Sequence, residues 1–217
     1  MRRYELVIFD WDGTLMDSTG LIASCIQRSC RDMGLPVPPE SQAKWVIGLG
    51  FLQSVEHVAP GLARERQLEL AESYRRHFVA REGEAPLYEG ITGLLAELRE
   101  RGRRLAVATG KARRGLDRAL ASTGLAPFFE ATRCADEGFP KPHPDMVLRI
   151  LEETGVEASR AVLVGDTTHD LELAANAGVD AVAVTYGAHD EAQLRERAAR
   201  HYAATVEELR RWLAAHA

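Results

Sequence analysis

The spacing of apolar residues along the chain predicts three regions. A short apolar run at 4–10 is typical of a buried strand, and the stretch 14–85 then follows a helical period without an obvious strand. From residue 86 onward, short apolar runs alternate with helical stretches of about ten to fifteen residues, which is typical of a parallel sheet covered by helices on both faces. The pattern therefore predicts an α/β protein, in which a doubly wound parallel sheet carries an all-helical block inserted after its first strand.

Periodicity and capping residues also predict the individual elements. Within the inserted block, we expect helices at 18–33, 39–47, 52–58 and 62–81. In the remainder of the chain, we expect strands at 104–108, 129–133, 161–164 and 181–184. The helices expected between and after these strands lie at 90–101, 113–123, 144–154, 171–177 and 206–215.

Composition and charge narrow the class of protein. The 217 residues fit one α/β domain with an insertion, or two small domains, and the formal net charge of −5 predicts no nucleic-acid partner. The first residues lack the apolar stretch of a signal peptide, and no run approaches the ~18 apolar residues of a membrane span. The three cysteines have no C-x-x-C spacing, so we expect reduced thiols. These observations predict a cytoplasmic protein with no membrane partner.

Two pairs of aspartates carry the strongest chemical signal in the chain. Asp10 and Asp12 follow the first predicted strand, and Asp166 and Asp170 follow the strand predicted at 161–164. If these strands are neighbours in one parallel sheet, their carboxyl ends bring the four carboxylates together. At an effective dielectric near 20, two like charges about 4 Å apart repel by roughly 4 kcal/mol. The cluster therefore predicts an active site that holds a cation or carries raised pKa values.

The turn after the predicted strand at 104–108 suits a phosphate group. Thr109 offers a hydroxyl, and Gly110 offers a backbone N–H at the start of a helix. A nucleotide-binding P-loop would need glycine at position 105 and serine or threonine at 112, where the chain has Leu105 and Ala112. The turn is therefore a candidate for phosphate contact or for helix capping, and it is not a P-loop.

Lys141 is one of only three lysines in the chain, and prolines stand on both sides of it. Because the prolines restrict the backbone, the ammonium group is held in place, where it can balance carboxylates and bind a phosphoryl oxygen. Weaker candidates are Gly48-Leu49-Gly50, interpreted as a substrate-facing loop, and 111–114, interpreted as a solvated helix end. Three histidines lack metal-ligand spacing and are expected to be structural or exposed: His143, His169 and His189.

Four motifs, in this order, resemble those of the haloacid dehalogenase superfamily of phosphotransferases. The motif D-x-D-G-T matches 10–14, and the Ser or Thr after an apolar strand matches Thr109. The motif K-P-x-P matches 141–144, and G-D-x-x-x-D matches 165–170. The inserted helices resemble the cap of the subgroup that contains phosphoglycolate phosphatases and β-phosphoglucomutases. The resemblance implies a Rossmann-like core of 1–14 and 86–217, with a substrate-selecting cap domain of 15–85.

The resemblance also implies a role for each aspartate. Asp10 would be the nucleophile that forms an aspartyl phosphate. Asp12 would protonate the leaving alcohol and then activate water. Mg²⁺ would be held by the Asp10 carboxylate, the Asp12 backbone carbonyl and Asp166, with Asp170 supporting it through water.

Around the phosphoryl group, the resemblance assigns charge stabilisation to the Thr109 hydroxyl, the Gly110 amide and Lys141. The cap would close over the site and choose the substrate. Asp12 argues against dehalogenase chemistry, because dehalogenases do not keep an acid at this place. It also separates the chain from phosphonoacetaldehyde hydrolases, which have alanine there.

The predicted function is that of a Mg²⁺-dependent phosphatase acting on a small phosphomonoester similar to phosphoglycolate. The motifs leave open a sugar-phosphate phosphatase and a phosphomutase of the β-phosphoglucomutase type. A phospho-aspartate signalling module is the alternative from a different class, although receiver domains are about half as long and lack a helical cap. The expected partner is a small-molecule phosphate ester, and the sequence leaves a homodimer open.

Overall fold

The strands of the protein form one parallel sheet. In the computed structural model, which describes residues 4–217, the strands are β1 (Leu6–Phe9), β2 (Arg104–Thr109), β3 (Ala131–Cys134), β4 (Ala161–Gly165), β5 (Asp180–Val184) and β6 (His201–Ala203). They pair in the order β3-β2-β1-β4-β5-β6, and every pair is parallel. The predicted doubly wound α/β core is confirmed.

Ten α-helices are described within residues 4–217. Four lie between β1 and β2: α1 (Thr19–Asp32), α2 (Glu40–Trp45), α3 (Phe51–Val58) and α4 (Arg64–Val79). The others are α5 (Ile91–Glu100), α6 (Arg113–Thr123), α7 (Asp145–Thr154), α8 (Thr168–Ala177), α9 (Glu191–Arg195) and α10 (Val206–His216). None of the helices in the described part of the chain is long and apolar enough to cross a membrane.

The central strand β1 is buried on both faces. Val7 and Phe9 pack into one apolar layer with α5 and α10, whereas Leu6 and Ile8 pack into the opposite layer with α7 and α8. This division follows from the alternation of side chains along a strand. Phe9 is in register with Val107 of β2 and Val164 of β4, so the carboxyl ends of all three strands lie side by side.

The chain order of the strands reverses direction between β1 and β4. In open α/β sheets, ligands bind in the crevice outside the carboxyl ends of the strands at such a switch point. Asp10 directly follows β1, and Asp166 directly follows β4. The topology therefore brings the two predicted aspartate pairs to the ligand-binding edge of the sheet.

The structure differs from the predicted elements in three places. The edge strand β6 and the short helix α9 were not predicted, because a three-residue strand and a five-residue helix carry too little periodicity. Helix α8 begins at Thr168 rather than 171, so Asp170 lies in its first turn. There the Thr167 side chain accepts from the Asp170 amide, and the Asp170 carboxylate accepts from the Thr167 amide, which is a reciprocal cap.

The four helices inserted after β1 have apolar clusters of their own. One is formed around Ile22, Cys25, Ile47 and Phe78, and a second around Cys30, Val55 and Leu70. Together with Cys134, both of these cysteines are buried free thiols, which confirms that the chain has no disulfide framework among its described residues. We use the name cap for 15–85; this division of the chain into two domains stays a prediction.

Candidate active site

Three buried aspartates meet at the carboxyl edge of the sheet. Asp10, Asp166 and Asp170 each offer one carboxylate oxygen, and these three atoms lie within 4.8 Å of one another. The three residues are between 0% and 1% exposed. The juxtaposition follows from the register, because β1 and β4 end together and α8 begins directly after β4.

Lys141 is the buried cation of this cluster. Its Nζ lies 2.7 Å from Asp10 Oδ1 and 2.6 Å from Asp170 Oδ1, and the residue is fully buried. Burial opposes its charge, but the two aspartates outweigh burial and raise the pKa of Lys141 above its ordinary value. The lysine therefore stays charged and balances part of the negative charge.

Asp166 is held by groups from two different loops, one after β1 and one after β5. Its Oδ1 accepts from the Thr14 hydroxyl at 2.9 Å, and its Oδ2 accepts from the Ala188 amide at 2.7 Å. Gly13 packs against the same carboxylate: with φ of +84°, a Cβ at this position would lie 2.1 Å from Asp166 Oδ2. Glycine is required there both for the backbone conformation and for the close approach.

The electrostatics of the cluster favour a bound cation. Burial raises the pKa of Asp10 to about 7, with Lys141 opposing the shift and the Asp170 charge adding to it. Burial also raises the pKa of Asp166, and the Asp10 charge adds to that shift. For Asp170, burial is outweighed by the ammonium of Lys141 and by hydrogen bonds, so its pKa is lowered.

One carboxylate oxygen of the cluster lacks a hydrogen bond. Asp10 Oδ2 is buried and has no hydrogen-bond partner among residues 4–217. An unpartnered buried anionic oxygen is costly unless it ligates a cation. Carboxylate oxygens are the ligands that Mg²⁺ prefers, and therefore Asp10, Asp166 and Asp170 form a donor set that fits this ion.

The side chain of Asp12 turns away from the other aspartates. Its Oδ1 accepts from the Ser18 hydroxyl at 2.6 Å, and its two oxygens lie 2.8 and 2.9 Å from Lys111 Nζ. The carboxylate therefore lies on the cap side of the site. A metal-binding role for Asp12 would fall to its backbone carbonyl, which is the group that the family resemblance implies.

The prediction that 111–114 is a solvated helix end is wrong for Lys111. Its side chain is only 9% exposed and forms an ion pair with Asp12. The ammonium also lies 4.8 Å from the ring centre of Phe78 on α4, a favourable cation–π contact. The rarity of lysine in this chain, and its place two residues after a strand end, were the signals that could have identified it.

Thr109 and Gly110 lie where the sequence predicts a phosphate contact. Thr109 is 1% exposed at the end of β2, and its hydroxyl oxygen accepts from the Lys111 amide at 3.2 Å. The carbonyl of Gly48, from the cap, packs onto Gly110, so that a Cβ at Gly110 would lie 2.6 Å from that oxygen. The loop 48–50 therefore lies directly over the turn for which phosphate binding is predicted.

The histidines divide as the structural interpretation expects. His143 is exposed, whereas His169 and His189 are 4% and 2% exposed. Their Nε2 atoms lie 2.9 and 3.1 Å from the carbonyl oxygen of Trp45, at the end of α2. Burial lowers the pKa of both residues, so two neutral rings from the core bind one carbonyl group of the cap.

The comparisons with known proteins identify the class of the chain. The profile of the haloacid dehalogenase-like hydrolase family matches residues 7–184, and the chain belongs to this family. Among solved structures, a predicted phosphatase from Clostridium acetobutylicum has a TM-score of 0.88 at 26% identity, covering 98% of this chain and 99% of its own.

Relatives with curated names extend this picture. The "Probable phosphatase IndB" of Dickeya dadantii is 35% identical over 88% of this chain and 85% of its own length. The tyrosine-protein kinase PtkA of Mycobacterium tuberculosis is 36% identical over 95% of this chain and 71% of its own length. A phosphoglycolate phosphatase of Aquifex aeolicus is 32% identical over 84% of this chain and 85% of its own length. The chain is a phosphoric monoester hydrolase of the phosphoglycolate phosphatase-like group, as its motifs predict.

Proposed function

We propose that the protein is a Mg²⁺-dependent phosphatase that hydrolyses a small organic phosphomonoester through an aspartyl phosphate on Asp10. The observation that carries the proposal is the buried cluster of Asp10, Asp166, Asp170 and Lys141 at the switch point of the sheet. Its charge is only partly balanced, and its central oxygen, Asp10 Oδ2, has no partner among the described residues. The phosphatases among the relatives support the same chemistry.

Asp10, Asp166 and Asp170 would hold the ion, which would neutralise charge on the phosphoryl oxygens. The protein's own groups then act around it. Lys141 Nζ, the Thr109 hydroxyl and the Gly110 amide supply positive charge and hydrogen bonds to the same oxygens. An Asp10 oxygen attacks the phosphorus atom, and the bond from phosphorus to the alcohol oxygen breaks.

Asp12 moves the proton in both halves of the reaction. In the first half, its carboxyl group gives a proton to the leaving alcohol oxygen. In the second half, its carboxylate takes a proton from a water molecule that attacks the phosphorus atom and releases phosphate from Asp10. Ser18 and Lys111 orient the carboxylate for this role through the contacts described above.

The test is a phosphate-release assay over small phosphomonoesters with Mg²⁺, repeated with EDTA. Asp10→Asn should lower turnover by more than about a thousandfold because the nucleophile is lost. Asp117→Asn, which changes an exposed aspartate of α6, is the matched control and should retain wild-type activity. If Asp10→Asn keeps about a tenth of wild-type turnover or more, the assignment of Asp10 as nucleophile is wrong.

The same assay separates the alternatives. A phosphomutase would interconvert phosphosugar isomers without net phosphate release, and a signalling module would hold a stable phosphoryl group on Asp10 without turnover. Because the relative PtkA is named a tyrosine-protein kinase, transfer of a phosphoryl group to a protein tyrosine should be assayed as well. We also propose that the protein is cytoplasmic. Whether it forms a homodimer can be measured by light scattering.

A further inference from the structure

A cavity between the cap and the core adjoins the proposed proton donor. It measures about 580 Å³, and Asp12 and Lys111 lie among its lining residues. Cavities of roughly 300–1,000 Å³ are usual for small-molecule sites. Because Asp12 would protonate the oxygen that leaves phosphorus, the alcohol part of the ester must extend into this cavity.

The inner wall of the cavity is apolar. It is formed largely by cap side chains: Ile22, Ile26, Leu49, Val55, Leu70 and Phe78. Two hydroxyl groups in the lining already donate within the cap. Ser29 donates to the Cys25 carbonyl at 2.8 Å, and Ser54 donates to the Gly50 carbonyl at 3.1 Å. Tyr74 contributes one further hydroxyl to the lining, which is few for the many hydroxyl groups of a sugar.

Charged residues lie at the rim of the cavity or are already paired. Arg75 forms two hydrogen bonds with Glu72, and Arg118 forms three with Glu82. Arg114 and Asp136 also contribute to the lining but are exposed. Lys111, at the inner end, pairs with Asp12. A carboxylate placed against the inner wall would therefore lose hydration without gaining a matched partner.

We propose that the alcohol part of the substrate is an uncharged apolar group of about the size of a ring, such as an arylmethyl or branched alkyl group. The inference rests on the proposed phosphatase function and narrows it to one substrate class. It ranks such esters above phosphoglycolate and above sugar phosphates. Burial of the organic group against the apolar walls makes the free energy of binding more favourable. The paired polar groups of the cavity can keep their present partners.

The decisive experiment compares kcat/KM for benzyl phosphate, ethyl phosphate, phosphoglycolate and glucose 6-phosphate with Mg²⁺. In all four esters the leaving group is a primary alcohol. Differences in kcat/KM therefore report how the organic group fits the cavity rather than the chemistry of the leaving group. We expect benzyl phosphate to exceed each of the others by at least about tenfold. Equal or higher kcat/KM for phosphoglycolate or glucose 6-phosphate would overturn the inference.

Acetyl phosphate separates this inference from the proposed function. It is a small, activated phosphoryl donor that needs no cavity for its organic part. If acetyl phosphate is hydrolysed with Mg²⁺ and benzyl phosphate shows no advantage, the phosphatase function stands and the apolar substrate class is wrong. If none of these compounds releases phosphate, the proposed function itself fails, and the inference fails with it.

A pair of variants assigns the preference to the wall. Leu49 lines the cavity and is only half-buried, so Leu49→Asn makes the wall polar without opening the buried clusters of the cap. We expect it to lower the ratio of kcat/KM for benzyl over ethyl phosphate by about fivefold or more. Leu52→Asn changes a leucine that is 50% exposed on α3, and it should leave the ratio unchanged. An unchanged ratio in Leu49→Asn would contradict the assignment.

A second variant fills the same space. Ala71 lies in the lining on α4, and Ala71→Phe would occupy part of the volume. It should lower kcat/KM for benzyl phosphate while ethyl phosphate, with its two-carbon group, is affected less. If kcat/KM falls equally for both esters while the variant keeps the thermal unfolding midpoint of wild type, the organic group does not bind in this cavity.

Discussion

The core side of the site is formed by charged and polar groups, whereas the cap side is formed mainly by apolar ones. On the core side, buried charges are held at fixed distances: Lys141 touches Asp10 and Asp170, and Asp166 is held by Thr14 and Ala188. On the cap side, the cavity wall consists mainly of aliphatic and aromatic groups. The chemistry that we propose therefore depends on directional polar contacts, whereas the substrate choice that we propose depends on shape and hydrophobicity.

Lys111 is where the two sides meet. It follows the turn of Thr109 and Gly110, pairs with Asp12 and packs over Phe78 of the cap. The Gly48 carbonyl on Gly110 and the Trp45 carbonyl between two histidines are further contacts across the same boundary. Four changes, from the largest expected effect to the smallest, test how far the two sides act independently.

Removing the proton-transfer group should have the largest effect. Asp12→Asn keeps the size of the side chain but removes the group that we propose to serve both half-reactions, so the rates of aspartyl-phosphate formation and of its hydrolysis should each fall by about 10²–10⁴. Single-turnover measurements with rapid quench resolve the two steps. Wild-type rates in either step would show that another group moves the proton there.

Removing the buried cation should destabilise the core side. Lys141→Met leaves Asp10 and Asp170 without their shared partner, and loss of one member of a buried ion pair costs about 3–5 kcal/mol. Urea unfolding in EDTA measures the loss, and Mg²⁺ should restore part of it. Lys44→Met, which breaks an exposed pair with Glu40, is the control and should cost at most about 0.5 kcal/mol.

Proton competition should make ion binding depend on pH. The folded-state pKa of Asp10 is about 7, above the unfolded value near 3.9, so without a metal ion this group lowers stability as pH rises from about 4 to 7. A bound cation keeps Asp10 and Asp166 ionised and removes this loss. The affinity for Mg²⁺ should therefore rise with pH up to about 7, by as much as about tenfold per pH unit for each proton released.

Calorimetric titration with Mg²⁺ at several pH values measures this dependence. His169 and His189 shift in the opposite sense, since their lowered pKa values make them lose stability as pH falls. A constant affinity between pH 5 and 7 would mean that the carboxylates are already ionised without the metal ion.

The smallest expected effect concerns the seating of the cap. A Cβ at Gly110 would lie 2.6 Å from the Gly48 carbonyl oxygen and 2.7 Å from its carbon, so Gly110→Ala must displace the cap loop while it keeps the backbone amide. We expect kcat/KM to fall by about tenfold. The unfolding free energy should fall as well, because the atoms that must shift belong to the backbone of the cap. Gly93→Ala is a suitable control, because a Cβ at this exposed position of α5 meets no atom within 4 Å. Equal activity in both variants would mean that the cap does not need this contact.

The core side could be predicted from the sequence because its chemistry requires particular residue types at strand ends. Asp10, Asp166 and Lys141 were identified from their places after apolar runs and between prolines, and the structure brings all three together. Lys111 was misinterpreted, because only the fold shows that Asp12 and Phe78 lie beside it. Charge next to a strand end is visible in a sequence, whereas the partner of that charge is not.

The cap side was less accessible to sequence analysis for a physical reason. Its wall residues, such as Val55 and Leu70, also belong to the apolar clusters that hold the helices together. The same helical period therefore describes a packing residue and a residue that faces a cavity. The strand β6 was missed for a related reason, since His201–Ala203 is short and only partly apolar.

The position of β1 has a consequence for synthesis of the chain. This strand is synthesised before both of its neighbours, which begin at Arg104 and Ala161. Until β4 has been synthesised, the apolar segment Leu6–Phe9 has at least one open edge, a state that favours pairing with other chains. The cluster of Asp10, Asp166 and Asp170 can consequently assemble only after β4 and the first turn of α8 have been synthesised.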